Sequence, residues 1–429
     1  MKKLLIFLLL TGILQRSDAQ VNSELKSLIQ QSFSYFPKFN ELDQDVKINQ
    51  QKVDLAATGK LPEINGVASY NYFAPVAEAQ FPFGNEVKSL KFQPNNNINF
   101  GVTIFQPLVD FGKTRLEVER ARHALQESKE NIAFNKTQLA AQVATIYYTM
   151  VYLHEAIAIQ DSVISVLQSN KNLVESKFLN GDALKVDVLT IQNNVDIEQN
   201  RKTDLVNALQ KQLNLLSFTT GSTQGITNGA FDFQSMTASL DDAIKLAETQ
   251  NPDFRIARER IQAAETEVLL TKVHQKPTIG LNGGTGIRNG YQPDINEIRF
   301  NYGIGVGVNV PIFYGGRLKQ QSRIAESTVT SNQLAATSLS HQYRKDIELA
   351  LTDRNTNIER LKNVEEQIHI AKEALRLAES RFRNGVSTNV ELLNATSNLQ
   401  KIELAKIQYQ YQLTTAEVEI ARLTGSIYW

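Results

Sequence analysis

The sequence has no cysteine among its 429 residues. That excludes disulfides, thiolate metal sites, cysteine nucleophiles and an N-terminal lipidated cysteine. It has no excess of charge either: 45 Lys and Arg stand against 45 Asp and Glu. Phosphate binding needs a basic surplus, so nucleic acid is excluded as the main partner. Beyond the first twenty residues there is no run of about 18 consecutive apolar residues, so no membrane-spanning helix is visible. Any spanning structure must then be a β-barrel. A hydrophobic content of 42% with 21% charge belongs to a folded chain.

The first residues present a leader. Lys2 and Lys3 precede the apolar run Leu4 to Leu10, and Ser17-Asp18-Ala19 supplies small residues where cleavage occurs. This is a secretory signal peptide over 1–19, and it directs the mature chain out of the cytoplasm.

Glycine and proline are scarce and unevenly placed. Of 22 Gly and 10 Pro, fifteen Gly and eight Pro fall within 59–112 or 277–316. Segments 113–180 and 317–384 contain neither, and the same holds for 182–220 and 386–424. Breaker-free stretches rich in Ala, Leu, Gln, Glu and Lys predict very long helices. The longer ones would each extend about 100 Å. Within the first, Leu125, Ile132, Leu139, Ile146 and Leu153 recur every seven residues, flanked by Val143, Met150 and Ile157. That period predicts a left-handed supercoil, with an ordinary helical core stripe as the simpler reading. The second stretch is less regular, through Val329, Ala336, Tyr343 and Ala350, then Ile368, Ala371, Leu375 and Ala378.

Self-comparison shows a duplication. Ser176-Lys177-Phe178-Leu179-Asn180-Gly181 recurs as Ser380-Arg381-Phe382-Arg383-Asn384-Gly385, a shift of 204 that also carries Pro107 onto Pro311 and Gly112 onto Gly316. Upstream the shift is 215, so that Pro62 meets Pro277 and the first copy is longer by 11 residues before Pro107. An insertion of that kind points to exposed loops at 75–95 and, in the second copy, 290–296.

The glycine-rich segments alternate with period two. Ile98, Phe100, Val102 and Ile104 share one face, as do Phe300, Tyr302, Ile304, Val306, Val308 and Val310. Asn, Gly and Thr occupy the other face. Alternation over roughly ten residues fits a tilted membrane strand, although a half-buried soluble sheet alternates too. The expected fold class is mostly α with a membrane β-barrel portion. The expected layout has a first repeat over 20–222, with strands near 62–74 and 96–107 and long helices over 113–179 and 183–218. A linker follows over 223–236. The second repeat covers 237–429, with strands near 277–289 and 297–311 and long helices over 317–383 and 387–423. Four strands cannot close a barrel, so closure needs several chains. Two would give a barrel filled by side chains; three would leave a lumen, which the inward Gly and Asn faces suit better.

That order resembles the TolC family of outer-membrane efflux proteins. The strand-to-helix junctions Gln106-Pro107-Leu108-Val109-Asp110-Phe111-Gly112-Lys113 and Val310-Pro311-Ile312-Phe313-Tyr314-Gly315-Gly316-Arg317 carry the resemblance. So do the tip turns, from Phe178 through Gly181 to Asp187-Val188-Leu189 and from Phe382 through Gly385 to Glu391-Leu392-Leu393. The resemblance implies a homotrimer with a 12-stranded barrel in the outer membrane and a helical part in the periplasm. It implies an adaptor protein and an inner-membrane pump as partners. It makes the tips Asn180, Gly181, Asn384 and Gly385 adaptor contacts. It also makes Asp187 and Glu391 carboxylates of a periplasmic gate. Where the family often has a basic residue and a second acid, this chain has Ser387 and Asn394, and Lys185 is a substitute cation.

Elementary chemistry gives these residues plainer roles. Pro107 and Pro311 lack an N–H and are expected to end ladder pairing. Gly112 and Gly316 permit a sharp turn from strand into helix. The tip glycines suit the left-handed residue that closes a helix. Asp187 and Glu391 stabilise helix N-termini as first-turn acids.

Signals for catalysis are absent. Phe111-Gly112-Lys113-Thr114 ends like a phosphate loop but has Pro107 where such a loop needs glycine. The five histidines have no ligand spacing, so neither a metal nor a cofactor is expected. The competing classes are an export duct, a secreted long-helix structural or pore-forming protein without a constitutive barrel, and a secreted enzyme.

Overall fold

The computed structural model describes residues 22–227, 229–234 and 239–429. The signal peptide lies outside them. Eight α-helices and six strands occur among the described residues. In chain order, α1 (Ser23–Tyr35), α2 (Lys38–Ala57), β1 (Glu63–Tyr72), β2 (Glu78–Phe83), β3 (Glu86–Lys91), β4 (Asn96–Val109), α3 (Lys113–Leu179) and α4 (Lys185–Thr220) come first. Then follow α5 (Leu240–Gln250), α6 (Pro252–Val273), β5 (Thr278–Arg288), β6 (Arg299–Asn309), α7 (Arg317–Arg383) and α8 (Asn389–Thr424). Two compact units form. One holds the segments up to Asp43, Glu130–Arg255 and Thr337–Trp429; the other holds Gln44–Lys129 and Ile256–Ala336.

The first unit is helical. Its main core takes Leu139, Val143, Ile146 and Met150 from α3, Leu25 and Ile29 from α1, Leu216 from α4 and Val418 and Ala421 from α8. The seven-residue stripe of α3 therefore faces inward, as its period requires. A window of 18 residues in α3 is apolar enough by composition to cross a bilayer. Burial of one side of the helix, through Leu139, Val143, Ile146, Met150, Leu153 and Ala156, gives that composition a simpler cause, a helical core. Two smaller clusters complete the unit. One gathers Val163, Leu167, Val174, Ile191, Val195, Phe382 and Leu392; the other gathers Ala243, Ala247, Tyr343, Ile347, Ile420 and Leu423.

The second unit carries a four-stranded antiparallel sheet in the order β1-β4-β5-β6. Side chains alternate across it because the strand period is two. One face presents Phe100, Tyr302, Ile304, Val306 and Val308, all exposed; Tyr302 and Ile304 are about four-fifths exposed at 81% and 78%. A water-soluble sheet would bury such a face, and an apolar patch this continuous marks contact with lipid or protein. Beneath the sheet, α3 and α6 are tied by Arg120–Glu267 (2.6 Å), Arg260–Glu127 (2.7 Å) and His123–Glu259 (2.9 Å).

Two expectations are corrected. Pro107 does not end its ladder: β4 runs to Val109, Pro107 stands opposite Gly280, and a bulge separates Pro107 from Val109. The bulge absorbs the missing N–H, which is how proline is tolerated inside a sheet. Pro311 does lie beyond its strand, which stops at Asn309. Nor is 75–95 an irregular loop. It holds the hairpin β2–β3, turning at Gly84-Asn85, with Glu78 facing Lys91 and Pro82 facing Val87. Pro82 sits in a two-stranded ribbon, where every strand has a free edge that can take a proline.

Candidate functional site

The junctions are built by local backbone chemistry. After β4 the chain turns through Phe111 (φ 52°) and Gly112 (φ 88°); after β6 it turns through Gly315 (φ 59°) and Gly316 (φ 79°). Both residues of each pair are left-handed. The first junction places a phenylalanine where the second has glycine, a strained choice for a bulky side chain. Asp110 offsets that strain. Its Oδ1 accepts the Gly112 N–H at 2.9 Å and its Oδ2 accepts the Thr114 N–H at 2.9 Å, capping α3.

Burial alone would raise the Asp110 carboxyl, but the hydrogen bonds from Thr114 and Gly112 together hold it below the usual carboxylate range. A group depressed in this way stabilises the fold above its unfolded pKa, about 3.9. It loses that contribution as pH falls through the folded value. Asp110→Ala is expected to cost about 0.5–2 kcal/mol at neutral pH. Thermal melts of variant and parent should converge in acid; an equal gap at both pH values would remove the capping role.

The tips are turns between helices of the first unit. Gly181 (φ 85°) and Gly385 (φ 74°) are left-handed, and Asp182 and Val386 donate back to Lys177 O and Arg381 O at 2.8 and 2.9 Å. These are the bonds that close a helix on glycine. Asn180 and Asn384 stand immediately before these glycines, both exposed. The two tips meet directly. Lys177 Nζ donates to the Phe382 carbonyl at 2.9 Å and lies 4.6 Å from the centre of the Phe382 ring. Phe382 is 5% exposed, whereas its repeat counterpart Phe178 is 41% exposed.

Asp187 and Glu391 occupy equivalent places in the first turns of α4 and α8. Asp187 Oδ2 accepts the Leu184 N–H at 3.0 Å, and the Glu391 N–H is capped by Thr388 Oγ1 at 3.3 Å. Lys185 is exposed. Among the described residues no ion pair joins Lys185, Asp187 and Glu391 within one chain. Above the tips, a buried polar cluster links three helices. Gln160 Nε2 donates to Glu198 Oε2 at 2.7 Å, Gln400 Nε2 donates to the same oxygen at 2.9 Å, and Arg201 reaches the other oxygen. Sequence reasoning missed this cluster and the Lys177–Phe382 contact, because the partners stand far apart in the chain. Asp110 was legible in principle, since an aspartate just before a long helix is a capping signal. Among the described residues no group of three or more His, Asp or Glu is placed to hold a metal ion.

An exposed apolar sheet face, four strands with two open edges, paired long helices and a strict duplication are now in view. The profile of the outer membrane efflux protein family matches residues 28–222 and 243–426. The chain belongs to that family. The outer membrane efflux protein BepC of Brucella suis biovar 1 is 21% identical over 97% of this chain and 88% of its own. The outer membrane protein TolC of Vibrio cholerae is 22% identical over 98% of this chain and 95% of its own. The crystal structure of the outer membrane protein VceC from Vibrio cholerae shares the fold, with a TM-score of 0.77 at 18% identity over 95% of this chain and 97% of that one. The chain is thus an outer-membrane efflux channel protein with a strand-built membrane part and a periplasmic helical part.

Proposed function

We propose that three copies of this chain close one passive duct from the periplasm to the cell exterior, opened at its helical tips by an adaptor and an inner-membrane pump. One observation carries the assembly. The sheet has an exposed apolar face, and among the described residues its edge strands β1 and β6 each pair on one side only. Open edges are not tolerated in lipid. Three four-stranded sheets make twelve strands, enough to leave a lumen lined by the Gly, Asn and Thr face. The duct acts without catalysis and without a cofactor. The outer-membrane fraction should yield a heat-modifiable trimer that conducts ions in planar bilayers. Recovery as a soluble periplasmic monomer would overturn the proposal.

Orientation follows from the hairpin. The β2–β3 ribbon and the 290–296 turn lie at one end of the sheet and face the exterior; the helices lie on the periplasmic side. An epitope inserted at Asn85, in the hairpin turn, should be reached by antibody on intact cells. Turns tolerate such insertions because few backbone bonds depend on them. Labelling only after permeabilisation would reverse the orientation.

At the tips, Asn180, Gly181, Asn384 and Gly385 form the adaptor-facing surface. Threefold symmetry brings Asp187 and Glu391 to one ring of six carboxylates, with Lys185 as the nearby cation. Such a ring attracts cations and repels anions. As first-turn acids both carboxylates stabilise their helix N-termini by about 0.3–1 kcal/mol; the Leu184 N–H takes one oxygen of Asp187, whereas Glu391 is capped through its backbone N–H. Single-channel recording of a double variant, Asp187→Asn with Glu391→Gln, should show weaker cation preference or an altered closed-state conductance. Unchanged selectivity and conductance, with only a lower melting temperature, would reduce both acids to helix caps.

A further inference from the structure

The two strand-to-helix junctions are repeat counterparts, yet they differ in charge. The first holds Lys60, Lys113 and Arg115 together with Glu63, Asp110, Glu117 and Glu119. Asp110 caps α3, and Lys113 lies 3.9 Å from Glu117. The shift of 204 carries Lys113 onto Arg317 and Arg115 onto Lys319, so both cations are kept. It carries Asp110 onto Tyr314, Glu117 onto Gln321 and Glu119 onto Arg323, so every acid is lost and a cation is gained. On the approach to the sheet, the shift of 215 carries Glu63 onto Thr278 and sets Lys276 where the first repeat has Leu61. Lys272 stands in the last turn of α6. Segments 268–281 and 305–325 contain no Asp or Glu.

These positive charges gather at one end of the sheet. Thr278 pairs with Asn309, which brings the end of α6 and the start of α7 to the same edge. Lys272, Lys276, Arg317, Lys319 and Arg323 are all exposed, and among the described residues no carboxylate pairs with any of them. Lys276 and Arg317 rest on the rings of Phe111 and Tyr314, at 5.8 and 5.2 Å. Arg317 and Lys319 stand in the first turn of α7, which has no acid. The helix dipole disfavours cations at that end. Nothing within the chain offsets this cost, so the compensating negative charge comes from outside it.

The cations lie where the apolar face of the sheet runs out. Ile312 continues the alternation of Val306, Val308 and Val310 and is 91% exposed; Phe313 beside it is 84% exposed. Side chains this apolar, followed within a few residues by basic ones, form the pattern of a membrane–water boundary. The apolar part enters the hydrocarbon, and the long basic side chains keep their heads at the level of the phosphates. The helical part is periplasmic, so this boundary belongs to the inner leaflet of the outer membrane.

We infer that the second junction is a binding surface for anionic phospholipid headgroups of that leaflet, with Ile312 and Phe313 in the acyl region and Lys272, Lys276, Arg317, Lys319 and Arg323 around the phosphates. The group recognised is a phosphate in a headgroup of net negative charge, tethered to acyl chains. The first junction does not select such a lipid, because its four acids repel the headgroup. The surface requires the outer-membrane location of the chain and not the number of copies.

Native mass spectrometry of the full channel in detergent micelles, titrated with phosphatidylglycerol or phosphatidylcholine of identical chains, reads the headgroup preference. The parent should hold phosphatidylglycerol at least about fivefold more tightly, since one basic residue near an anionic surface already favours binding by about that factor. Lys319→Gln with Arg323→Gln should bring the two lipids close to parity. So should Gln321→Glu with Arg323→Glu, which restores the two acids of the first repeat on exposed positions and leaves the other cations in place. Lys113→Gln with Arg115→Gln removes two cations from the first junction and should leave the preference unchanged. Excess inorganic phosphate should leave the lipid bound; displacement would mark a site for free phosphate and overturn lipid as the occupant. The chain has no native cysteine, so a bimane on Ile312→Cys is the sole label. In phosphatidylglycerol vesicles it should be quenched by a lipid spin-labelled near its headgroup, and an unquenched label would place Ile312 against protein and overturn the surface. Equal binding of both lipids by the parent, or a preference that survives both second-junction variants, would overturn it as well. The same spectra count the copies in the assembly, so the trimeric duct and the lipid surface stand or fall separately.

Discussion

Val306→Arg is expected to abolish recovery of the channel from the outer membrane. Val306 is 66% exposed in the single chain, opposite Leu281 and on the face shared by Phe300, Tyr302, Ile304 and Val308. If that face meets lipid, an arginine near the bilayer midplane costs about 2–4 kcal/mol per chain. Three copies suffer the penalty at once. Asn309→Arg is the informative control, because it lies on the same strand but on the opposite face. A cation there meets water in the lumen and should change conductance more than yield. Outer-membrane fractionation with trimer yield decides between them. Normal insertion of Val306→Arg, or equal loss for both variants, would remove the lipid-facing assignment of this strand.

The contrast between those two variants also shows what the sequence makes legible. Period two in Phe300 through Val308 is a property of neighbours, so it survives in the sequence and names the faces. The long helices are legible for the same reason. Runs without glycine or proline have nothing to stop them, and a seven-residue stripe from Leu125 to Leu153 needs one buried side. The duplication adds information, since each copy checks the other. The hairpin β2–β3 was hidden because Pro82 breaks the strand pattern and only the pairing of Pro82 with Val87 restores it. Pro107 misled for a related reason: a bulge depends on the partner strand, which lies about 170 residues away. Asp187 was visible as a first-turn acid, but its bond to the Leu184 N–H was not, because that depends on one rotamer. The comparison with known proteins fixes the family and leaves the tip residues as a proposal.

Least legible of all was the aromatic cluster that closes the helical unit, and it carries the other large expected effect. Tyr148 on α3 is fully buried. Its ring lies 5.2 Å from Tyr147, 6.4 Å from Phe231 and 6.3 Å from Phe233; Phe233 in turn lies 5.0 Å from Tyr428. These residues come from three separated segments, so no local period announces them. Tyr148→Ala removes the centre of the cluster and leaves a cavity that rigid helices cannot fill. The expected loss is about 3–5 kcal/mol. The hydroxyl contributes much less. It donates to Asp232 Oδ1 at 3.1 Å, and Asp232 is exposed. Without the hydroxyl that carboxylate returns to water, so Tyr148→Phe should cost about 0.5–1.5 kcal/mol. Burial, and then the Asp232 charge, push the Tyr148 ionisation far up, so the tyrosine stays neutral and the gap between the parent and each variant should not change between pH 6 and about pH 9. Denaturant melts give the two losses. Hydrogen exchange should show 229–234 opening first in Tyr148→Ala, because Phe231 and Phe233 anchor that segment to α3. If the phenylalanine variant lost as much as the alanine variant, the hydrogen bond rather than the packed rings would hold the segment down.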